Sequence, residues 1–105
     1  MESTTQKLQK NPRLRRRWRI DLKAGDALVS STFTKDVSAG GFCAELMRVP
    51  SPGTPVRGTI VISGNTFAFC GKVAWARPSD PGMNVRGSIG VTFTAITDDF
   101  KKMLI

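Results

Sequence analysis

Val56-Arg57-Gly58-Thr59-Ile60-Val61-Ile62-Ser63-Gly64-Asn65-Thr66-Phe67-Ala68-Phe69 decides the fold. Val56, Ile60 and Ile62 alternate with Arg57, Thr59 and Val61, and Phe67, Phe69, Val73 and Trp75 follow on one face. A repeat of two puts successive side chains on opposite sides of an extended chain, so this is a pair of half-buried strands. Gly64-Asn65 between them accepts positive φ and predicts a tight turn. The same period recurs on both sides of this hairpin. Upstream, beyond the breaker Pro50-Ser51-Pro52-Gly53, Phe42, Ala44 and Leu46 share one side of a strand, as do Val29, Ser31 and Phe33 of another. Downstream, Pro78 to Asn84 break the pattern, and Ile89, Val91 and Phe93 form the last strand. Thr97 then caps a short helix whose first turn holds Asp98 and Asp99 and whose last holds Lys101 and Lys102, both matching the helix dipole. Phe100, Met103 and Leu104 are placed to plug one end of the sheet. About six strands and one helix predict an all-β fold, a small six-stranded antiparallel barrel with a short C-terminal helix.

The charge is local. The 105-residue chain has 16 Lys and Arg against 8 Asp and Glu, a formal charge of +8. Lys7, Lys10, Arg13, Arg15, Arg16, Arg17 and Arg19 face only Glu2 in the first nineteen positions, which therefore carry most of the excess. Residues 1–12 read as a flexible basic arm and residues 13–105 as one folded domain. Crowded arginines repel one another, and an anionic partner relieves that cost.

Absences narrow the function. There is no His and no Tyr, which removes the commonest general acid/base, His-dependent triads and His-containing metal sites. No catalytic residue, metal or cofactor is expected, and Asp98 and Asp99 are helix-start residues, not a catalytic pair. Cys43 and Cys70 are too few and too far apart for a zinc cluster; flanked by apolar neighbours, they are expected as buried reduced thiols. No stretch approaches the roughly 20 apolar residues of a membrane span, and the N-terminus lacks a signal peptide's apolar run, which points to a cytoplasmic protein.

Two segments look least like barrel building. Arg15-Arg16-Arg17-Trp18-Arg19 stands at the mouth of the first strand, and Asp36-Val37-Ser38-Ala39-Gly40-Gly41 lies between two strands. Alone, the first is an ordinary basic tail and the second a polar turn. Together they are complementary. Arginine offers a planar fork to phosphate oxygens or to guanine O6/N7, whereas Asp and Ser accept from guanine N1 and N2. Gly40 and Gly41 would let the backbone turn sharply and approach a flat ring. A small anionic guanine nucleotide satisfies both segments.

The two segments, in this order, resemble the signature of the PilZ domains, RxxxR followed by D/N-x-S-x-x-G. The second element is complete as Asp36, Ser38 and Gly41. The first occurs twice, as Arg15 to Arg19 and as Arg13 to Arg17; the former is preferred because Ile20, directly after Arg19, opens a strand. Gly53 and Val56, Gly71-Lys72-Val73-Ala74-Trp75 and Ile89-Gly90-Val91-Thr92-Phe93 resemble the later strands of the family, so the likeness spans roughly residues 13 to 104. The sixteen residues between Arg19 and Asp36 are short for the family, and a tighter hairpin would absorb the difference.

The resemblance implies a bacterial receptor or adaptor that binds the second messenger cyclic di-GMP and performs no chemistry. On this reading Arg15 and Arg19 clamp phosphate and the guanine Hoogsteen edge, Arg16 adds a contact, Asp36 and Ser38 hold the polar edge of guanine, and Gly41 keeps the turn open. Apolar Leu14 before the first arginine leans towards one bound ligand over a stacked pair. Ligand binding would order the arginine-rich arm and signal to a downstream protein. Trp18 and Trp75 are candidates for stacking on guanine, but Trp75 alternates with Val73 and is expected to pack against the protein. The alternatives are a small barrel binding single-stranded nucleic acid and a PilZ-like protein-interaction module that binds no nucleotide. The near balance of charge outside the arm disfavours nucleic acid.

Overall fold

The computed structural model describes residues 13–25 and 27–104; the expected basic arm, residues 1–12, lies outside them. Seven strand segments follow in chain order: β1 (Leu14–Arg15), β2 (Arg19–Ala24), β3 (Ala27–Ser38), β4 (Gly41–Leu46), β5 (Pro55–Ile62), β6 (Asn65–Arg77) and β7 (Gly87–Ile96). A helix, α1 (Asp98–Lys102), closes the chain. All pairings between strands are antiparallel. Six strands run in the order β3-β2-β5-β6-β7-β4, and β4 pairs back onto β3 to close the barrel; β1 is an extra strand on β3. Closure leaves few edges for another chain to extend.

The inward rows of β2, β4, β5, β6 and β7 are mostly apolar, whereas β3 turns Thr32 and the buried Thr34 to that side. Ile20, Leu22, Phe42, Ile60, Ile89 and Phe100 are fully or almost fully buried and form one core. Phe42, Phe69 and Phe93 meet at centroid distances of 5.3 to 5.9 Å, in the edge-on or tilted arrangements that aromatic quadrupoles favour. The helix forms as expected: the Thr97 side chain accepts from the Phe100 N–H at 3.3 Å, with acidic residues in the first turn and basic ones in the last. Its Phe100 plugs the barrel end against Phe67 and Phe93. No helix among the described residues is long and apolar enough to cross a membrane.

Four local expectations are corrected, each by turn position or strand parity. The β5–β6 turn sits on Ser63-Gly64, not Gly64-Asn65: Ile62 pairs with Asn65, and Ser63 and Gly64 take φ of 51° and 85°, the double positive φ of a two-residue hairpin. Phe33 points outward because Val29 is an extra residue in β3, where Leu22 and Lys23 pair with Ser30 and Leu28. Trp75 points outward because Ala74 is extra in β6, where Val73 and Trp75 pair with the adjacent Val91 and Gly90. Such a bulge reverses the alternation beyond it. Cys70 is exposed, since it follows the inward Phe69 on a regular stretch; Cys43 is buried, and both are free thiols.

Candidate functional site

The first arginine segment is a strand interrupted in the middle. β1 and β2 pair with the same edge of β3, Arg15 opposite Asp36 and Arg19 opposite Phe33, while residues 16–18 leave the ladder. Thr34 replaces the missing rungs. Its N–H donates to the Trp18 carbonyl at 2.8 Å, its hydroxyl accepts from the Trp18 N–H at 2.9 Å, and the same hydroxyl donates to the Arg16 carbonyl at 2.5 Å. Trp18 turns its ring towards the barrel end, edge-on to Phe100 at 6.4 Å. Arg15, Arg16, Arg17 and Arg19 are left on the outside. The tight β2–β3 hairpin, with Gly25 at φ 64°, accounts for the short spacing from Arg19 to Asp36.

The arginines have separate neighbours. The Arg16 Nη1 donates to the Arg15 carbonyl, Arg17 lies 4.4 Å from the Phe33 ring centroid, and Arg19 is 3.7 Å from Asp21. Arg13 holds Asp36: its Nε and Nη2 reach the same Oδ1 at 2.8 and 2.5 Å. The structure thus brings Arg15, Asp36, Ser38 and Gly41 to one region, adds Arg13 to it, and turns Arg19 towards Asp21. The sequence offers Arg13 only through the less favoured RxxxR, because its neighbour depends on the β1–β3 register.

Ser38 and Gly41 build the wall. The buried Ser38 hydroxyl accepts from the Gly40 N–H at 3.1 Å, a side-chain turn of the type expected of DxSxxG. Gly41 is not in a left-handed conformation; a Cβ there would collide with the backbone carbonyl of Val91. Its lack of a side chain serves the close β4–β7 approach, a reason different from the open turn anticipated from the sequence.

Register assembles a floor. Arg15 pairs with Asp36, Asp36 with Cys43, Cys43 with Gly90 and Gly90 with Trp75, a single row across five strands. Directly paired residues share a face. Strands are spaced about 4.8 Å apart, so Asp36 and Trp75 stand roughly 14 Å apart along the wall. Between them Cys43 is only 7% exposed, and Gly90 is covered by the indole of Trp75. Trp75, 46% exposed, lies where a Cβ on Gly90 would be. The next row runs Ser38, Gly41, Thr92, Lys72, with Thr92 and Lys72 exposed. The surface is therefore shallow and smooth, with an acid and arginines at one side and an indole and a lysine at the other. Burial, and secondarily the Asp36 carboxylate, pushes the Cys43 thiol pKa above its ordinary value.

Other depressions exist. One of about 260 Å³ adjoins the arginine segment and is lined by Arg17, Phe33, Lys35, Glu45 and Arg86, with Lys35 and Glu45 paired at 3.5 Å. Two larger ones, of about 430 and 340 Å³, lie beside Cys70, the first over β2, β5 and β6 and the second over β6 and the end of β7, and contain neither motif.

Comparisons with known proteins agree with this architecture. The family model described as "PilZ domain" matches residues 7–105. Among solved structures, the Bacillus subtilis inhibitor of motility MotI/DgrA superposes with a TM-score of 0.76 at 15% sequence identity, over 91% of this chain and 47% of that one. The chain spans about half the length of that neighbour, and the likeness shows the fold. No curated protein sequence matches. With nearly its whole length matched and both signature segments meeting on one wall of the barrel, the chain belongs to the PilZ family, whose members serve as cyclic di-GMP receptor and adaptor domains.

Proposed function

We propose that the chain is a cyclic di-GMP receptor or adaptor that binds its ligand on the outer wall of the barrel and catalyses nothing. The observation that carries this reading is the row from Arg15 and Asp36 across Cys43 to the indole of Trp75, which lies over Gly90. A flat purine lies over Cys43 beside Asp36 and stacks on the exposed indole of Trp75. The Asp36 carboxylate accepts from guanine N1 and N2, and Arg15, Arg16 and Arg19 supply donors for phosphate and for O6/N7. Arg19 swings from Asp21 towards the ligand, a small rearrangement for an exposed pair at 3.7 Å. Ser38 keeps the turn in shape, and Gly41 lets β4 and β7 approach closely beneath it. Lys72 adds positive charge at the far side, a contact visible only once the register is known.

The decisive experiment is a calorimetric titration of cyclic di-GMP, with GTP, cyclic di-AMP and a short single-stranded oligonucleotide as competitors. Selective binding of cyclic di-GMP is expected, weakened about ten- to a hundredfold in Arg15→Ala and Asp36→Ala by loss of charge-assisted hydrogen bonds. Equal affinity in both variants defeats the site. Steeply salt-dependent preference for the oligonucleotide would point to a nucleic-acid binder instead. The signal passes to a partner protein through the segment that carries the arginines and the basic residues before it, whose charge the ligand neutralises; hydrogen exchange over residues 7–20 slows on binding.

A further inference from the structure

We propose that Arg13 is a built-in competitor for Asp36, which a guanine base must displace in order to bind. This rests on the nucleotide reading above and concerns the regulation of the same site. Both Arg13 donors, Nε at 2.8 Å and Nη2 at 2.5 Å, converge on one carboxylate oxygen, Oδ1. Guanine presents its N1–H and N2–H donors side by side, and a matched fork uses both carboxylate oxygens. Arg13 and guanine therefore claim the same atom.

The competitor is placed by the fold. β1 sets Leu14 against Val37 and Arg15 against Asp36, so Arg13, two residues from Arg15 along the same strand direction, approaches Asp36 diagonally. The strength suits displacement. The Arg13 and Asp36 side chains are 52% and 29% exposed, and a pair in that setting contributes little. A buried pair would close the site; this one moderates its affinity and, by letting go of Arg13, couples occupancy to the start of the domain.

The test uses the full chain and cyclic di-GMP in calorimetric titrations of wild type, Arg13→Ala, Arg13→Gln and, as a charge-matched control at an exposed position outside the site, Arg48→Ala. Both Arg13 variants should bind about two- to fivefold tighter, the range set by loss of an exposed ion pair, and Arg48→Ala should match wild type. In an Asp36→Asn background, Arg13→Ala should change nothing further. In wild type, the Arg13 Nε–H resonance should move to that of a solvated arginine as ligand saturates. Equal or weaker binding by both Arg13 variants, or an Arg13 resonance indifferent to saturating ligand, overturns the competitor alone. No binding by wild type or any variant overturns the nucleotide reading and the competitor with it.

Discussion

The β5–β6 hairpin and the edge where β1 and β2 meet β3 are both antiparallel pairings, held in different ways. The hairpin runs without a break from Pro55 opposite Lys72 to Ile62 opposite Asn65 and buries Val56, Ile60, Ile62 and Phe69. The other edge loses its ladder at residues 16–18 and is bridged by one threonine and by the Arg13–Asp36 ion pair. Burial of a large apolar side chain stabilises by a few kcal/mol, whereas an exposed ion pair contributes about 0 to 1 kcal/mol. The barrel therefore supplies rigidity on one side and leaves the arginines on a weakly held edge, where a ligand can rearrange them at little cost to the fold.

The largest effect that would break this comparison comes from the rigid side. Phe69→Ala removes a ring that meets Phe42 and Phe93 and should cost about 3 to 5 kcal/mol in chemical denaturation, with no direct loss of a ligand contact. Thr34→Val comes next. It leaves the Trp18 N–H without its side-chain acceptor and the Arg16 carbonyl without its donor, which should cost about 1 to 3 kcal/mol. Its sharper consequence is for affinity: the arginines lose their mounting, so binding should weaken by more than in any core variant of equal stability. Should Phe69→Ala and Thr34→Val lose affinity in proportion to stability alone, the two regions are not functionally distinct.

The same contrast explains what the sequence disclosed. Alternation over Val56 to Phe69, the Thr97 cap and the two signature segments are local patterns, and local patterns persist into the fold. Trp75 and Phe33 escaped that reading because single extra residues, Ala74 and Val29, reverse which way they face, and nothing in composition marks a bulge. Lys72 escaped it, and Arg13 entered it only through the less favoured RxxxR, for a related reason. Their neighbours are set by register between strands distant in sequence, Arg13 with Asp36 and Lys72 with Thr92. Gly41 was recognised as a signature residue, yet the carbonyl of Val91 that demands a glycine belongs to β7, some fifty positions downstream by the numbering.

The smallest expected effect separates the two cysteines. Cys43 lies in the floor of the proposed site and is buried, whereas Cys70 stands on the outer face of the hairpin. At mildly alkaline pH a thiol reagent should therefore modify Cys70 promptly in the folded chain and Cys43 only as fast as the barrel opens. The raised pKa of Cys43, caused first by burial and then by Asp36, means that the fold favours the neutral thiol over the thiolate. That contribution is complete below the unfolded thiol's pKa of about 8.5 and is lost as pH rises through the higher folded value. Denaturation midpoints of wild type should fall more steeply with alkaline pH than those of Cys43→Ala. Parallel slopes for wild type and Cys43→Ala would mean that the floor between Asp36 and Trp75 is open to water, which would remove the dry surface on which a guanine is proposed to lie.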